Sequence, residues 1–226
     1  MIMDSATYLN STEFDKNVER TMPFYGEFHR QTIELLAEMD YVHPRWLDTG
    51  CGTGLLIEKA IHCFPDAEFT LADPSEAMIK IASAKFAGNP QIRDIRVCGS
   101  QDLDYNEEYD IVTAIQCHHY LKEEERLEAI DKCFKALKQG GVLVVFEIIS
   151  PDTEDGLKIA MKRWKTYQLA HDRNETEIDT HLARYGVGYF PISISTHFEI
   201  LKNAGFKVVE QFWRSHIVSG FYAIKA

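Results

Sequence analysis

The sequence has no C-x-x-C pair, no apolar run approaching the roughly 18 residues of a membrane span, and far fewer basic than acidic side chains. Each absence excludes something. The five cysteines, Cys51, Cys63, Cys98, Cys117 and Cys133, are odd in number and fall in segments expected to be buried, so reduced structural thiols are expected. The start, MIMDSATYLNSTEFD, lacks both the basic stretch and the apolar core of an export signal, and a cytoplasmic protein without membrane contact is expected. With 24 Lys and Arg against 35 Asp and Glu, the formal net charge of -11 opposes direct nucleic-acid binding through a broad phosphate contact. No internal repeat or low-complexity segment is present. The 226 residues, 45% hydrophobic and 26% charged, suit a single α/β domain with a substantial core.

What is there is a rhythm. Charged and apolar residues from Phe14 to Met39 recur at near-helical spacing, interrupted by Pro23, which predicts two helices around a short break. From Trp46 the pattern becomes strand, glycine turn and helix (LLIEKAIHCF), then a second strand (AEFTLAD) and a helix from Pro74 to Phe86. IRDIRVCGS and YDIVTAIQC read as the third and fourth strands. EEERLEAIDKCFKALKQGG reads as an amphipathic helix stopped by Gly140 and Gly141, and VLVVFEII as a strand apolar on both faces. Such strands alternating with helices imply a doubly wound parallel sheet. Residues 151–190 break the rhythm with a charged, aromatic, helical stretch, expected to be an inserted cap. A helix in ISTHFEILKNAGF and two strands, KVVEQFW and HIVSGFYAIKA, close the chain, the strands near enough to pair antiparallel.

The stretch DTGCGTG, residues 48–54, stands between the first strand and the first following helix. Three alternating glycines there predict a tight turn that exposes backbone N–H groups at a helix N-terminus, suited to an anionic group. The spacing is G-x-G-x-G; Leu55 stands where a dinucleotide fingerprint has its third glycine, which argues against a nicotinamide dehydrogenase. Asp73, ending the second strand, is placed to accept both hydroxyls of a ribose, or to cap the helix after it. Ser100 and Gln101 after the third strand, and Gln116 to His118 after the fourth, lie at the same carboxyl edge, where open α/β sheets bind ligands. His118 and His119 are candidate bases or substrate contacts, and Glu147 a candidate to orient substrate or accept a proton. Adjacent residues of an extended segment point oppositely, so Cys117, His118 and His119 are poorly placed to share a metal, and no metal site is expected.

The motifs LDTGCGTG, LADPSEAMI, YDIVTAIQCHHYL and ALKQGGVLVVFE, in that order, resemble those of class I S-adenosylmethionine-dependent methyltransferases. The resemblance implies an α/β, doubly wound, seven-stranded Rossmann-like methyltransferase sheet whose last strand is antiparallel, under a helical lid. It divides the chain into an N-terminal lid (1–45), a cofactor-binding core (46–150), the inserted cap (151–190) and a closing helix and strands (191–226). It implies S-adenosylmethionine as cofactor and S-adenosylhomocysteine as product. Gly50, Cys51 and Gly52 would line the methionine moiety and Asp73 would hold the ribose. Ser100 and Gln101 would border adenine, with Met78, Pro74 or Ser75 packing on it. Asp48, Gln116 and Cys117 join the cofactor set. Many relatives carry an acid where Ser100 stands, so Gln101 or Asp102 would take the adenine amino group.

The ends of the chain, RTMPFY, THFEILKNAGFKVVEQFW and GFYAIKA, are similar to carboxy-S-adenosylmethionine synthases of tRNA wobble-uridine modification, which use S-adenosylmethionine with prephenate, and to their methyltransferase cousins. That similarity implies a lid in which Arg20 and Tyr25 face the methionine end of the cofactor. Among the cap residues, Arg163, Trp164, Tyr167, His171, Arg184, Tyr185 and Tyr189 are a mixture able to form an aromatic pocket, although helical spacing also suits ordinary packing. The expectation is methyl transfer to a small-molecule acceptor, with Tyr25, His118, His119 and Glu147 lining the reaction site, and a homodimer. The alternatives are a carboxy-S-adenosylmethionine synthase-like enzyme and a non-catalytic cofactor-binding partner protein.

Overall fold

The computed structural model describes residues 14–226; the first thirteen residues of the expected lid lie outside them. Two helices, α1 (Phe14–Thr21) and α2 (Tyr25–Ala37), precede β1 (Arg45–Thr49). There follow α3 (Leu55–Cys63), β2 (Glu68–Asp73), α4 (Glu76–Lys85), β3 (Ile92–Val97), β4 (Tyr109–Ile115), α5 (Glu123–Ala136) and β5 (Leu137–Ile148). Helices α6 (Glu154–Ala170), α7 (Glu175–Leu182) and α8 (Ile194–Asn203) then lead to β6 (Val208–Ser215) and β7 (Val218–Ile224). The strand order is β3-β2-β1-β4-β5-β7-β6. Neighbours are parallel except at β7, which pairs antiparallel with both β5 and β6.

Alternation along the central strands explains the two helical layers. Trp46, Phe69, Leu71, Ile111, Val144 and Phe146 join one buried cluster with residues of α2 and α3. Their neighbours Leu47, Ala72, Val112, Leu143 and Val145 join a second with residues of α5 and α8. Successive side chains of a strand point to opposite faces, so strands apolar at every position need a helical layer on each side.

Several boundaries depart from expectation. The helix expected to run to Gly140 ends at Ala136, and Leu137 already pairs with Tyr109 of β4. The reason is tertiary: Glu107 and Glu108 donate their amides to the carbonyls of Lys135 and Ala136, while Lys138 Nζ binds Asp110 at 2.9 Å, which draws the chain into the sheet. Asp73 is not the cap of α4; Ser75 is, its hydroxyl accepting from the Met78 amide at 3.2 Å. The segment after β4 is not extended but a 3₁₀ turn over His118–Tyr120. Of the cysteines expected to be buried, Cys63 is exposed and Cys51, Cys98 and Cys117 are half-buried; all five are free. No helix of the described residues is long and apolar enough to cross a membrane.

Candidate functional site

The carboxyl edge of the sheet opens into a cavity of about 360 Å³. Its floor comes from strand ends: Asp48 of β1, Asp73 of β2, Gly99 and Ser100 after β3, Ile115 and Gln116 at the end of β4, and Ile148 of β5. The glycine loop forms one wall. Gly50, Gly52 and Gly54 have φ of 66°, 56° and 82°, the left-handed region that side chains resist. At Gly50 the restriction is double, because a Cβ would also stand 2.7 Å from Cys117 Sγ. At Gly52 the space above the backbone is open. Asp73 fixes the loop by accepting the Gly52 amide at Oδ2 (2.8 Å) and the Ser75 amide at Oδ1 (2.9 Å).

Asp48 is 2% exposed and accepts Thr113 Oγ1 at 2.7 Å; that hydroxyl in turn accepts Trp46 Nε1 at 2.9 Å. Burial pushes the Asp48 carboxyl up, the Thr113 hydrogen bond pulls it down and the charge of Asp73 raises it again, leaving it at about 7. Gln116, at φ 58°, has both Nε2 and Oε1 buried without a hydrogen-bond partner. Buried amides left unmatched cost free energy and are rare away from sites where something else completes them.

Helices α1 and α2, with the turn between them, supply Val18, Thr21, Met22, Tyr25 and His29 to the opposite wall. Burial raises the Tyr25 phenol well above its ordinary value, with the charge of Asp48 adding to the effect. Burial lowers His29 to about 3, helped by Lys59, whose Nζ donates to its Nδ1 at 3.3 Å. The remaining wall holds Tyr120 from the 3₁₀ turn and His181, Arg184 and Tyr189 from α7 and the turn after it. Tyr189 donates its hydroxyl to the His181 carbonyl at 3.0 Å, and the Arg184 guanidinium stands 5.8 Å from its ring centre.

Of the expected site residues, Tyr25, Asp48, Gly50, Cys51, Gly52, Asp73, Pro74, Met78, Ser100, Gln101, Gln116 and Cys117 line this one cavity. Others do not. Arg20 turns away: its Nε donates to the His171 carbonyl at 2.9 Å and its Nη2 to the Asp172 carbonyl, satisfying the carboxyl end of α6. Ser75 is occupied as a helix cap, and Asp102 accepts Gln101 Nε2 at 3.1 Å outside the lining, so that of this pair Gln101 reaches the cavity.

His118, His119 and Glu147 also lie off the cavity, contrary to expectation. Glu147 Oε1 accepts the His118 amide at 3.0 Å, and Oε2 accepts the His119 amide at 2.7 Å and His119 Nδ1 at 2.8 Å. The 3₁₀ turn curls both amides onto the carboxylate and buries both imidazoles. Burial alone would raise the Glu147 carboxyl; the His119 hydrogen bond and charge outweigh it and hold the group well below the ordinary carboxylate range. Burial keeps His118 and His197 near 4, so both are neutral at pH 7 and the anion leans on His119 and the two amides. Arg126 completes the brace, donating to the carbonyls of His118 (3.2 Å), Leu121 (3.1 Å) and Phe190 (2.5 Å). Among the described residues no group of three or more His, Cys, Asp or Glu could hold a metal ion.

His29, Tyr120 and His181 are lining residues that the sequence did not single out; their only signal was membership of helical or post-strand segments near the edge. Of the seven polar and aromatic cap residues, Arg184 and Tyr189 reach the cavity. Trp164 instead anchors α6 to α1 through Nε1 and the Thr21 carbonyl, 2.7 Å apart.

Residues 47–143 match a family described as a methyltransferase domain. The carboxy-S-adenosyl-L-methionine synthase of Campylobacter lari is 23% identical over 212 residues, covering 94% of this chain and 90% of the relative. Among solved structures, a chain from a complex that contains the Haloferax volcanii Trm112 methyltransferase activator superposes with a TM-score of 0.68 at 14% identity. It covers all of this chain and 99% of that one. A Leishmania major SAM-dependent methyltransferase gives 0.66 at 16% identity, over 96% of this chain and 79% of the other.

Proposed function

We propose that this chain is a class I S-adenosylmethionine-dependent methyltransferase whose cavity binds S-adenosylmethionine and directs the methyl group to a small-molecule acceptor. The observation that carries this reading is the convergence of three features at one edge: the left-handed glycine cradle, the carboxylates of Asp48 and Asp73, and the unmatched amide of Gln116. These suit the cofactor group by group. Asp73, held by the Gly52 and Ser75 amides, would take the ribose diol. Asp48 would face the ammonium, and Gln116, with a donor and an acceptor both open, would pair with the amino-acid end. Pro74, Met78, Ser100 and Gln101 would border the base.

When bound, the cofactor supplies a sulfonium methyl that is already activated. The chain therefore has to align the acceptor and keep water out. We assign that work to α1, α2 and the segment from 151 to 190, acting as a lid over the core. Val18, Met22 and Tyr25 cover the cavity from one side, and His181, Arg184 and Tyr189 from the other. Tyr25 stays protonated and serves as a hydrogen-bond donor rather than a base. His181, lowered to about 3 by burial and the nearby Arg173, is neutral at physiological pH.

Arg184 favours a second reading. Among the described residues that line the cavity it is the one arginine or lysine, and a guanidinium is the group of choice for a carboxylate. A carboxylate-bearing partner would suit a carboxy-S-adenosylmethionine synthase-like enzyme. Native mass spectrometry of the purified protein, followed by identification of the released nucleoside, tests both. S-adenosylmethionine or S-adenosylhomocysteine is expected; the carboxylated derivative would favour the second reading. A protein that is empty and fails to bind added S-adenosylmethionine would sink both.

A further inference from the structure

We infer that S-adenosylhomocysteine and S-adenosylmethionine bind this cavity by expelling a proton from Asp48, so that the cavity discriminates between nucleosides with and without an ammonium group according to pH. The inference rests on the cofactor reading above and goes beyond it. Asp48 is buried in the cavity wall with one hydrogen bond, from the hydroxyl of Thr113, and among the described residues it forms no ion pair. Thr113 is itself pinned by the Trp46 indole, so this donor cannot be exchanged for a stronger one. The remaining partner must come from the ligand. Without one, a buried carboxylate beside Asp73 favours its neutral form. An arriving ammonium reverses that preference: the Asp48 O–H bond breaks, its electron pair stays on the carboxylate, and the proton passes to buffer.

The groups that face Asp48 do not blur this exchange. Tyr25 from α2, Cys51 from the glycine loop and Cys117 after β4 are all raised by burial and by Asp48 itself, so they keep their protons. Asp73 on β2 is held by two amides. His29 and His181, on the other walls of the cavity, are lowered to about 3 and stay neutral.

Isothermal titration of the full-length protein, in buffers of low and high ionisation enthalpy, reads the exchange directly. With a group near 7, S-adenosylhomocysteine is expected to release roughly half a proton at pH 7 and to bind roughly tenfold more tightly at pH 8 than at pH 6. 5′-Methylthioadenosine, which lacks the amino-acid group, is expected to bind with buffer-independent heat and no pH dependence. Asp48→Asn retains an oxygen for Thr113 and should bind S-adenosylhomocysteine weakly with no proton release. Release that is absent in the wild type, equal for both nucleosides, or unchanged in Asp48→Asn would overturn the inference. The comparison of the two nucleosides on the wild type stands even if the variant does not fold. Binding of neither nucleoside would instead overturn the cofactor reading.

Discussion

Asp48, in β1, and Glu147, in β5, are both almost wholly buried, yet Glu147 accepts three hydrogen bonds where Asp48 accepts one. Their acidities diverge accordingly: Glu147 is held below the ordinary carboxylate range and Asp48 is raised to about 7. The two positions teach how to tell a carboxylate that shapes the chain from one left facing a cavity. A carboxylate whose acceptor sites are filled by backbone amides has been recruited to shape the chain, here the turn that presents Tyr120 and ties it to Phe190. One left beside a cavity with a single hydroxyl has not.

The sharpest way to break that contrast is Glu147→Gln. The amide keeps one oxygen but turns the other into a donor, which faces either the His118 amide or the His119 amide and Nδ1, and the buried charge is lost, so a loss of about 4 kcal/mol in urea denaturation is expected. A loss under 1 kcal/mol would remove Glu147 from its role as a brace. Next in size is Gly50→Ala, which places a methyl against Cys117 at a left-handed backbone and should cost roughly 3 kcal/mol, with S-adenosylhomocysteine binding abolished in whatever fraction folds.

Asp48→Asn has the opposite sign, and its size is set by pH. An acid whose folded value lies above its unfolded one weakens the folded state progressively as pH rises between the two, from about 4 to about 7. Thermal melts of the empty protein should therefore show Asp48→Asn more stable than wild type at pH 8 by up to roughly 4 kcal/mol, the gap closing towards pH 4. For Glu147 the direction reverses: its contribution is present above the unfolded value and disappears as pH falls through the folded one. A variant that is equally destabilised at both pH values would show Asp48 to be another structural acid.

Much of the fold was legible because local pattern decides it. The buried stretches Trp46–Leu47, Phe69–Ala72, Ile111–Ile115 and Val142–Phe146, apolar at nearly every position, can be satisfied only between two helical layers, and the glycines of the loop have few other uses. The cavity's edge followed from strand ends, which is why Asp73, Gly52 and Gln101 line it. What was not legible depends on partners far along the chain. Glu147 sits 29 residues from His118, and only a 3₁₀ turn after β4 brings their groups together; an extended segment would have aimed the histidines elsewhere. Arg20 is drawn from the expected site by carbonyls more than 150 residues away, and the early end of α5 is imposed by pairing with β4. Nothing in the sequence pattern of residues 173–190 distinguishes Arg184, which reaches the cavity, from Arg173, which bonds Gln168.

Trp46 lies fully buried in the core, and two hydrogen bonds separate its indole from the Asp48 carboxylate on the cavity wall. The chain thereby contains its own optical reporter. A change of charge on Asp48 alters the field at Thr113 and so at the indole N–H, and emission from Trp46, isolated by replacing Trp164 and Trp213 with phenylalanine, would register cavity occupancy without any added label.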